Sequence, residues 1–209
     1  VAGYTAANSE NGYAARFAAD FSTNANPLWT ATWPGIGGPD AFQGLLASSS
    51  NLVAVGYGVG RLVLTAVPKV LAVELRTSDG GEVAYRRIPP AGVFAQNGAE
   101  AAQAIAVSVE NGTNYWYLTG QAQNGADNFG RLFLAKVRPD AGTEWVVTDA
   151  DEAALGNLGT MQSGSPYSAG QAVVAQAGFI YVAGRSDDSG LPLAVLRKYD
   201  AAGKLVWAA

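Results

Sequence analysis

An all-β chain of repeated four-stranded sheets is the fold that the sequence predicts, and three observations predict it. A short apolar run ending in glycine recurs four times along the 209 residues. Each recurrence is followed by an alternating run, a turn rich in Asp and Gly, and a run carrying an aromatic. Composition agrees, because 26 Gly, 10% aromatics and only 14% charged residues suit short strands joined by tight turns better than a helical bundle.

The glycine runs are Val1-Ala2-Gly3, Leu52-Val53-Ala54-Val55-Gly56, Tyr115-Trp116-Tyr117-Leu118-Thr119-Gly120 and Phe179-Ile180-Tyr181-Val182-Ala183-Gly184. The alternating runs that follow are Tyr13 to Phe17, Val70 to Leu75, Leu132 to Val137 and Leu193 to Leu196. Ser78-Asp79-Gly80-Gly81, Pro139-Asp140-Ala141-Gly142 and Asp200-Ala201-Ala202-Gly203 then read as hairpin turns, in which Asp holds the turn and Gly takes positive φ. The first copy has a longer link, from Asp20 through Asn26-Pro27. The closing runs carry Trp29, Tyr85, Trp145 and Trp207, which are expected at matched positions and as packing between neighbouring sheets. Alternation within Tyr115-Trp116-Tyr117 sets Trp116 on the face opposite its neighbours.

Three copies have one more strand before the glycine run: Ala41 to Leu46, Ala101 to Val109 and Gln171 to Ala175. Small residues dominate there, among them Gly44, Ala104, Ala106, Ala172 and Ala175. Such residues suit the strand nearest a narrow axis. Each unit therefore reads as four strands, A to D: inner, glycine, alternating and aromatic. Radially arranged sheets of this kind make a β-propeller, which leaves only short, protected edges. The units span about 1–33, 40–88, 99–147 and 167–209 of one β-propeller domain or fragment. A sandwich does not repeat this strand order, and a solenoid coil is shorter. The first unit lacks its A strand. The expectation is part of a larger propeller, and the alternative is a four-bladed ring whose missing strand comes from elsewhere.

Composition also excludes several chemistries. There is no Cys and no His, which removes disulfides, thiolate catalysis, zinc sites of the usual ligand type and histidine general-base chemistry. The net charge is −4 and the thirteen Lys and Arg are scattered, so no basic stripe suits nucleic acid. The longest apolar candidate, Leu62 to Leu75, is broken by Pro68 and Lys69, so no membrane insertion is expected. Absence of Cys leans towards export. The opening at Val1, without Met or a signal peptide, reads as a mature or partial chain.

Two stretches carry a family likeness. Ile180-Tyr181-Val182-Ala183-Gly184 and the run from Leu193 to Trp207 together resemble the bacterial β-propeller repeat called SBBP, and Val1-Ala2-Gly3-Tyr4-Thr5 looks like its start. The resemblance is good over the last unit and partial over the others. It implies a propeller fold and a secreted or surface setting, with no catalytic residues. Asp200 to Trp207 is more distantly similar to the repeat of PQQ-type quinoprotein dehydrogenases, which implies a packing role for Trp207 alone, since the vicinal Cys pair of those enzymes is absent. Asp140 to Trp145 looks like part of a sialidase Asp box, but Arg138 and Glu144 stand where Ser or Thr is expected.

In this strand order the B–C and D–A connections leave one face of a propeller and the A–B and C–D turns leave the other. The D–A segments differ most: Pro34 to Pro39, Pro89 to Gly98 and Thr148 to Ser168. The B–C loops at Asn8 to Gly12, Asn124 to Asn128 and Ser186 to Gly190 are polar. Variable loops on a rigid scaffold are where binding concentrates, and solvated connectors are the plain alternative. The ligand-binding candidates are Trp33, Phe94 and Tyr167 as off-register aromatics, with Asp127, Asn128, Asp187 and Asp188 as loop polar groups. Asp187 and Asp188 are also weak candidates for Ca²⁺, a cation that takes carboxylate and carbonyl oxygens, although ordinary exposed loops explain them equally. A second acidic cluster is Asp149, Asp151 and Glu152. Asn111-Gly112-Thr113 is a glycosylation sequon, relevant only to an exported eukaryotic chain; an Asn-Gly turn explains it without sugar.

The function expected is a non-enzymatic binding or structural interaction module of a secreted or surface protein. Its partner is a protein or a second copy, with carbohydrate as a further ligand class, and it needs no cofactor. The alternative is a polysaccharide-acting glycosidase or lyase using loop carboxylates drawn from Asp127, Asp151 and Asp187.

Overall fold

The computed structural model describes residues 2–5, 11–17, 26–33, 40–47, 50–58, 69–87, 100–123, 130–148, 167–188 and 191–209. Among them there is no helix. Two compact units divide the chain, Val1–Ile88 and Pro89–Ala209.

The first unit holds two antiparallel meanders. Strands β1 (Ala2–Thr5), β2 (Asn11–Arg16) and β3 (Trp29–Trp33) form a three-stranded sheet in chain order. Strands β4 (Ala41–Ala47), β5 (Asn51–Gly58), β6 (Lys69–Arg76) and β7 (Glu82–Arg87) form a four-stranded sheet, again in chain order. The two sheets pack face to face. Ala14 and Trp33 of the first meet Phe42, Leu52, Ala54, Leu71, Val73 and Leu75 of the second in one buried cluster. These side chains stand two residues apart along β5 and β6, as period-two alternation requires.

The second unit repeats the plan with complete sheets. Strands β8 (Glu100–Glu110), β9 (Thr113–Gln123), β10 (Gly130–Arg138) and β11 (Gly142–Thr148) form one meander. Strands β12 (Tyr167–Gln176), β13 (Phe179–Asp188), β14 (Leu191–Asp200) and β15 (Leu205–Ala208) form the next. A single parallel bridge, Gly130 to Tyr167, joins them at one corner. Their facing sides bury Ala106, Tyr117, Leu132, Leu134, Val173, Ile180, Val182 and Tyr199.

The recurring glycine has one structural cause. Strands β4, β8 and β12 each carry a bulge, where the pairing register shifts past Gln43, Gln103 and Gln171. A bulge sets two residues against one and bends the strand. At each bend the carbonyl of Ala41, Ala101 or Ala169 lies over the α-carbon of Gly56, Gly120 or Gly184, where a Cβ would overlap it. The three inner strands share the sequence Ala-x-Gln-small-aliphatic: Ala41-Phe42-Gln43-Gly44-Leu45, Ala101-Ala102-Gln103-Ala104-Ile105 and Ala169-Gly170-Gln171-Ala172-Val173.

The turns follow their chemistry. Asn111-Gly112 and Ala177-Gly178 close two-residue hairpins with positive φ at both positions, the backbone that matches strand twist. Gly80, Gly142 and Gly203 take positive φ in the C–D turns. Asp79 accepts the Gly81 amide at 2.8 Å. Asp200 accepts the Ala202 and Lys204 amides at 3.0 and 2.9 Å.

The aromatic positions need one correction. Cross-strand pairing sets Trp29 opposite Arg16, Trp145 opposite Lys136 and Trp207 opposite Lys198, but the residue opposite Glu74 is Ala84. Tyr85 sits one residue later, opposite Val73. One residue in a strand changes the face, so Tyr85 stacks on Trp33 at 5.1 Å between ring centroids and is no counterpart of the three Trp.

Candidate functional site

Each sheet has a turn end and a connection end. The A–B and C–D turns gather at the first. The B–C and D–A segments leave from the second, where most of those segments lie outside the described residues.

Buried polar groups concentrate at the connection end. In the first unit Asp40 precedes β4 and Lys69 opens β6, both buried. In the second unit Glu100 opens β8, Thr148 closes β11, Ser168 follows the first residue of β12, and Ser186 lies near the end of β13; all four are buried. Asp40, Glu100 and Ser168 occupy one position of the repeat, immediately before the Ala of Ala-x-Gln. Burying such groups is costly unless they are hydrogen-bonded. The Ser168 hydroxyl accepts the Leu132 amide at 2.8 Å, tying the two sheets of its unit together. The Asp40 carboxylate lies against the α-carbon of Gly58, where an added Cβ would have to push it aside. Sequence reading missed this row. Its signal was legible as an acidic or hydroxyl residue before each Ala-x-Gln.

The expected site residues fall as follows. Trp33 is corrected: it ends β3, only 4% exposed, inside the core against Tyr85, which argues against a ring that stacks on ligand. Tyr167 begins β12, paired with Asp187 in β13. Asp187 and Asp188 are the last two residues of β13 and pair with Pro192 and Leu191 of β14. The loop expected at Ser186 to Gly190 is thus a strand extended through Asp188. Among the described residues no three His, Cys, Asp or Glu gather as a metal cluster. Phe94, Asp127, Asn128, Asp149, Asp151 and Glu152 lie outside the described residues. Asn111 is exposed at the tip of the β8–β9 hairpin.

The turn end is built for packing. Trp29 lies on the C–D turn of the next sheet, where a Cβ at Gly80 would be 2.6 Å from its ring, and its indole N–H donates to the Thr77 carbonyl at 2.9 Å. Trp145 lies on Gly203 in the same way, at 3.0 Å. Lys136 sits between Tyr115 and the acids, 4.0 Å above the ring centre, with its ammonium 2.7 Å from Glu110 and 3.8 Å from Glu144. Tyr117 donates its hydroxyl to Glu110. Burial pushes the Glu110 carboxyl up, but the Lys136 and Tyr117 hydrogen bonds outweigh it and hold the group below its ordinary value. Burial raises the Tyr117 phenol, and Glu110 raises it further. Lys198 repeats the cation–ring contact, 3.7 Å from the centre of Phe179.

Trp207, the third member of the series, is 39% exposed and touches Tyr181 of its own sheet. Val174 and Leu196 are exposed as well. No family model matches the chain, and no curated protein is significantly similar to it.

Proposed function

We propose that the chain is a stretch of β-propeller, SBBP-like in its repeat, that serves as a non-enzymatic binding or structural interaction module of a secreted or surface protein. Support for the propeller comes from the recurrence of one four-stranded plan, with a Trp of one sheet seated on the turn glycine of the next in both units. The face that takes the ligand or partner is built from the B–C and D–A connections. The observation that carries this is the row of buried polar groups at the connection end, Asp40 and Lys69 in one unit and Glu100, Thr148, Ser168 and Ser186 in the other. A packed polar footing holds loop ends in fixed positions, which a binding surface requires.

The test separates binding from catalysis. The protein is incubated with xylan, pectin, alginate and chitin, and both reducing-end release and retention on the insoluble polymer are measured. The module reading expects no release of reducing ends at any pH from about 4 to 8. Steady release that is lost with D127N or D151N would overturn it in favour of a polysaccharide-acting enzyme.

A further inference from the structure

One polar residue of the inner strands keeps its identity in all three copies. Gln43, Gln103 and Gln171 stand at the bulges of β4, β8 and β12, each left out of the pairing register. The residue before it varies, as Phe42, Ala102 and Gly170. Gln43 and Gln171 are exposed, and Gln103 is half-buried. Among the described residues none of the three side-chain amides makes a hydrogen bond, so the amide is not what pins the bulge. A bulge re-aims the side chain it carries and is frequent beside functional sites. In the second unit two of these positions come together. Gly170, next to Gln171, lies on Thr119 of β9, where a Cβ would overlap the Thr side chain. The Thr119 hydroxyl donates to the Phe133 carbonyl at 2.7 Å, and Thr119 pairs with Ala104, next to Gln103. The path from Gln171 through Gly170, Thr119 and Ala104 to Gln103 sets the two bulges side by side.

We propose that Gln103 and Gln171 form a binding site for a neutral, hydroxyl-rich ligand, a saccharide chain without acidic groups. A side-chain amide carries an acceptor oxygen and two N–H donors. A sugar hydroxyl both donates and accepts, so neighbouring hydroxyls of one sugar unit satisfy both ends of an amide. Charge argues against ionic ligands. Strands β8 and β12 hold no Lys or Arg to meet an anion. The two acids of β8 are not offered to a cation, since Glu100 is buried and Glu110 takes the Lys136 ammonium at 2.7 Å. No tall side chain stands beside either amide along its strand, where the neighbours are Ala102, Ala104, Gly170 and Ala172. The bulges and the Thr119 contact fix the backbone under both amides before a ligand arrives, which lowers the ordering cost of binding. The site lies on the inner strands, three residues inside Glu100 and Ser168. It does not depend on the connection-end face, and its test is read at different residues.

The experiment uses the full chain with 15N labelling. The probes are maltohexaose, cellohexaose, xylohexaose and mannohexaose, with trigalacturonate as the acidic control. At least one neutral hexasaccharide is expected to give saturable shifts at the side-chain amide signals of Gln103 and Gln171, and trigalacturonate none. Gln103→Ala and Gln171→Ala leave the urea midpoint unchanged, and each weakens the saccharide about threefold to tenfold, the worth of one net hydrogen bond. Gln103→Glu keeps the shape but loses both N–H donors and weakens binding as much. Binding of none of the neutral probes, an equal response to trigalacturonate, or unchanged affinity in the Ala variants would each overturn the proposal. Shifts confined to the connection segments, with both Gln signals unmoved, would overturn it while leaving the connection-end reading in place. A lowered urea midpoint in the Ala variants would overturn it as well, because the Gln would then be holding its bulge.

Discussion

A methyl group added to Gly120 meets the carbonyl oxygen of Ala101, and backbone cannot step aside as a flexible side chain can. Gly56 and Gly184 face the same obstacle from Ala41 and Ala169. Gly120→Ala and Gly184→Ala should each cost about 1–3 kcal/mol, the range for forcing extra atoms into a packed site. Gly3→Ala should change the isolated chain by less than about 0.5 kcal/mol. Urea midpoints of the three variants check the contrast. Charge adds a second residue-scale expectation. The Glu110 carboxyl is lowered in the folded chain, so the unfolded chain binds its proton first as pH falls. Its stabilisation is complete above the ordinary carboxylate value and lost as pH drops through the lowered one. Glu110→Gln should be less stable at neutral pH and should show a flatter loss of stability in acid, read from urea midpoints between about pH 3 and 6. Tyr117 works in the opposite sense. Its phenol is raised, so its contribution is present below the ordinary phenol value and fades as pH climbs past about 10.

Between elements, the repeated contact is a Trp of strand D on the turn glycine of the following sheet. Trp145→Ala removes the ring that lies on Gly203 and should cost about 2–3 kcal/mol, somewhat below the figure for a wholly buried Trp. Trp207→Ala should cost under about 1 kcal/mol, since that ring is 39% exposed. Thermal midpoints of the two variants give the ranking, and equal losses would mean that the turn-glycine contact does not set the energy. The strand pattern was largely legible. Alternation located β6, β10 and β14 within a few residues, and the Asp-Gly turns fell where their chemistry put them. Tyr85 was not legible, because spacing counted from a glycine cannot see the one-residue difference in cross-strand register that moved it to the other face. Trp33 reads as an off-register aromatic beside Pro34, yet the end of β3 turns it into the core.

For the whole molecule, each unit has its own buried cluster and its own sheets. A chain of residues 89–209 should therefore fold by itself, with a β-type circular dichroism spectrum and one cooperative urea transition. A noncooperative melt would show that its two sheets need the rest of the chain. The candidate site was legible in part at this scale. Sequence pointed to the connection end through its variable segments, but not to the polar row beneath them. Asp40 and Glu100 look like ordinary charged loop residues until the inner strands are seen to begin at their side and bury them.

Local chemistry is sufficient for some of this and not for the rest. Period-two alternation, turn residues and the recurrence of glycine determine the strands and their order, because each depends only on neighbours along the chain. Tertiary structure alone decided why the glycines recur, which face each aromatic takes, and which polar groups are buried. Those depend on register between strands and on what the next sheet presents, and the bulges at Gln43, Gln103 and Gln171 set that register.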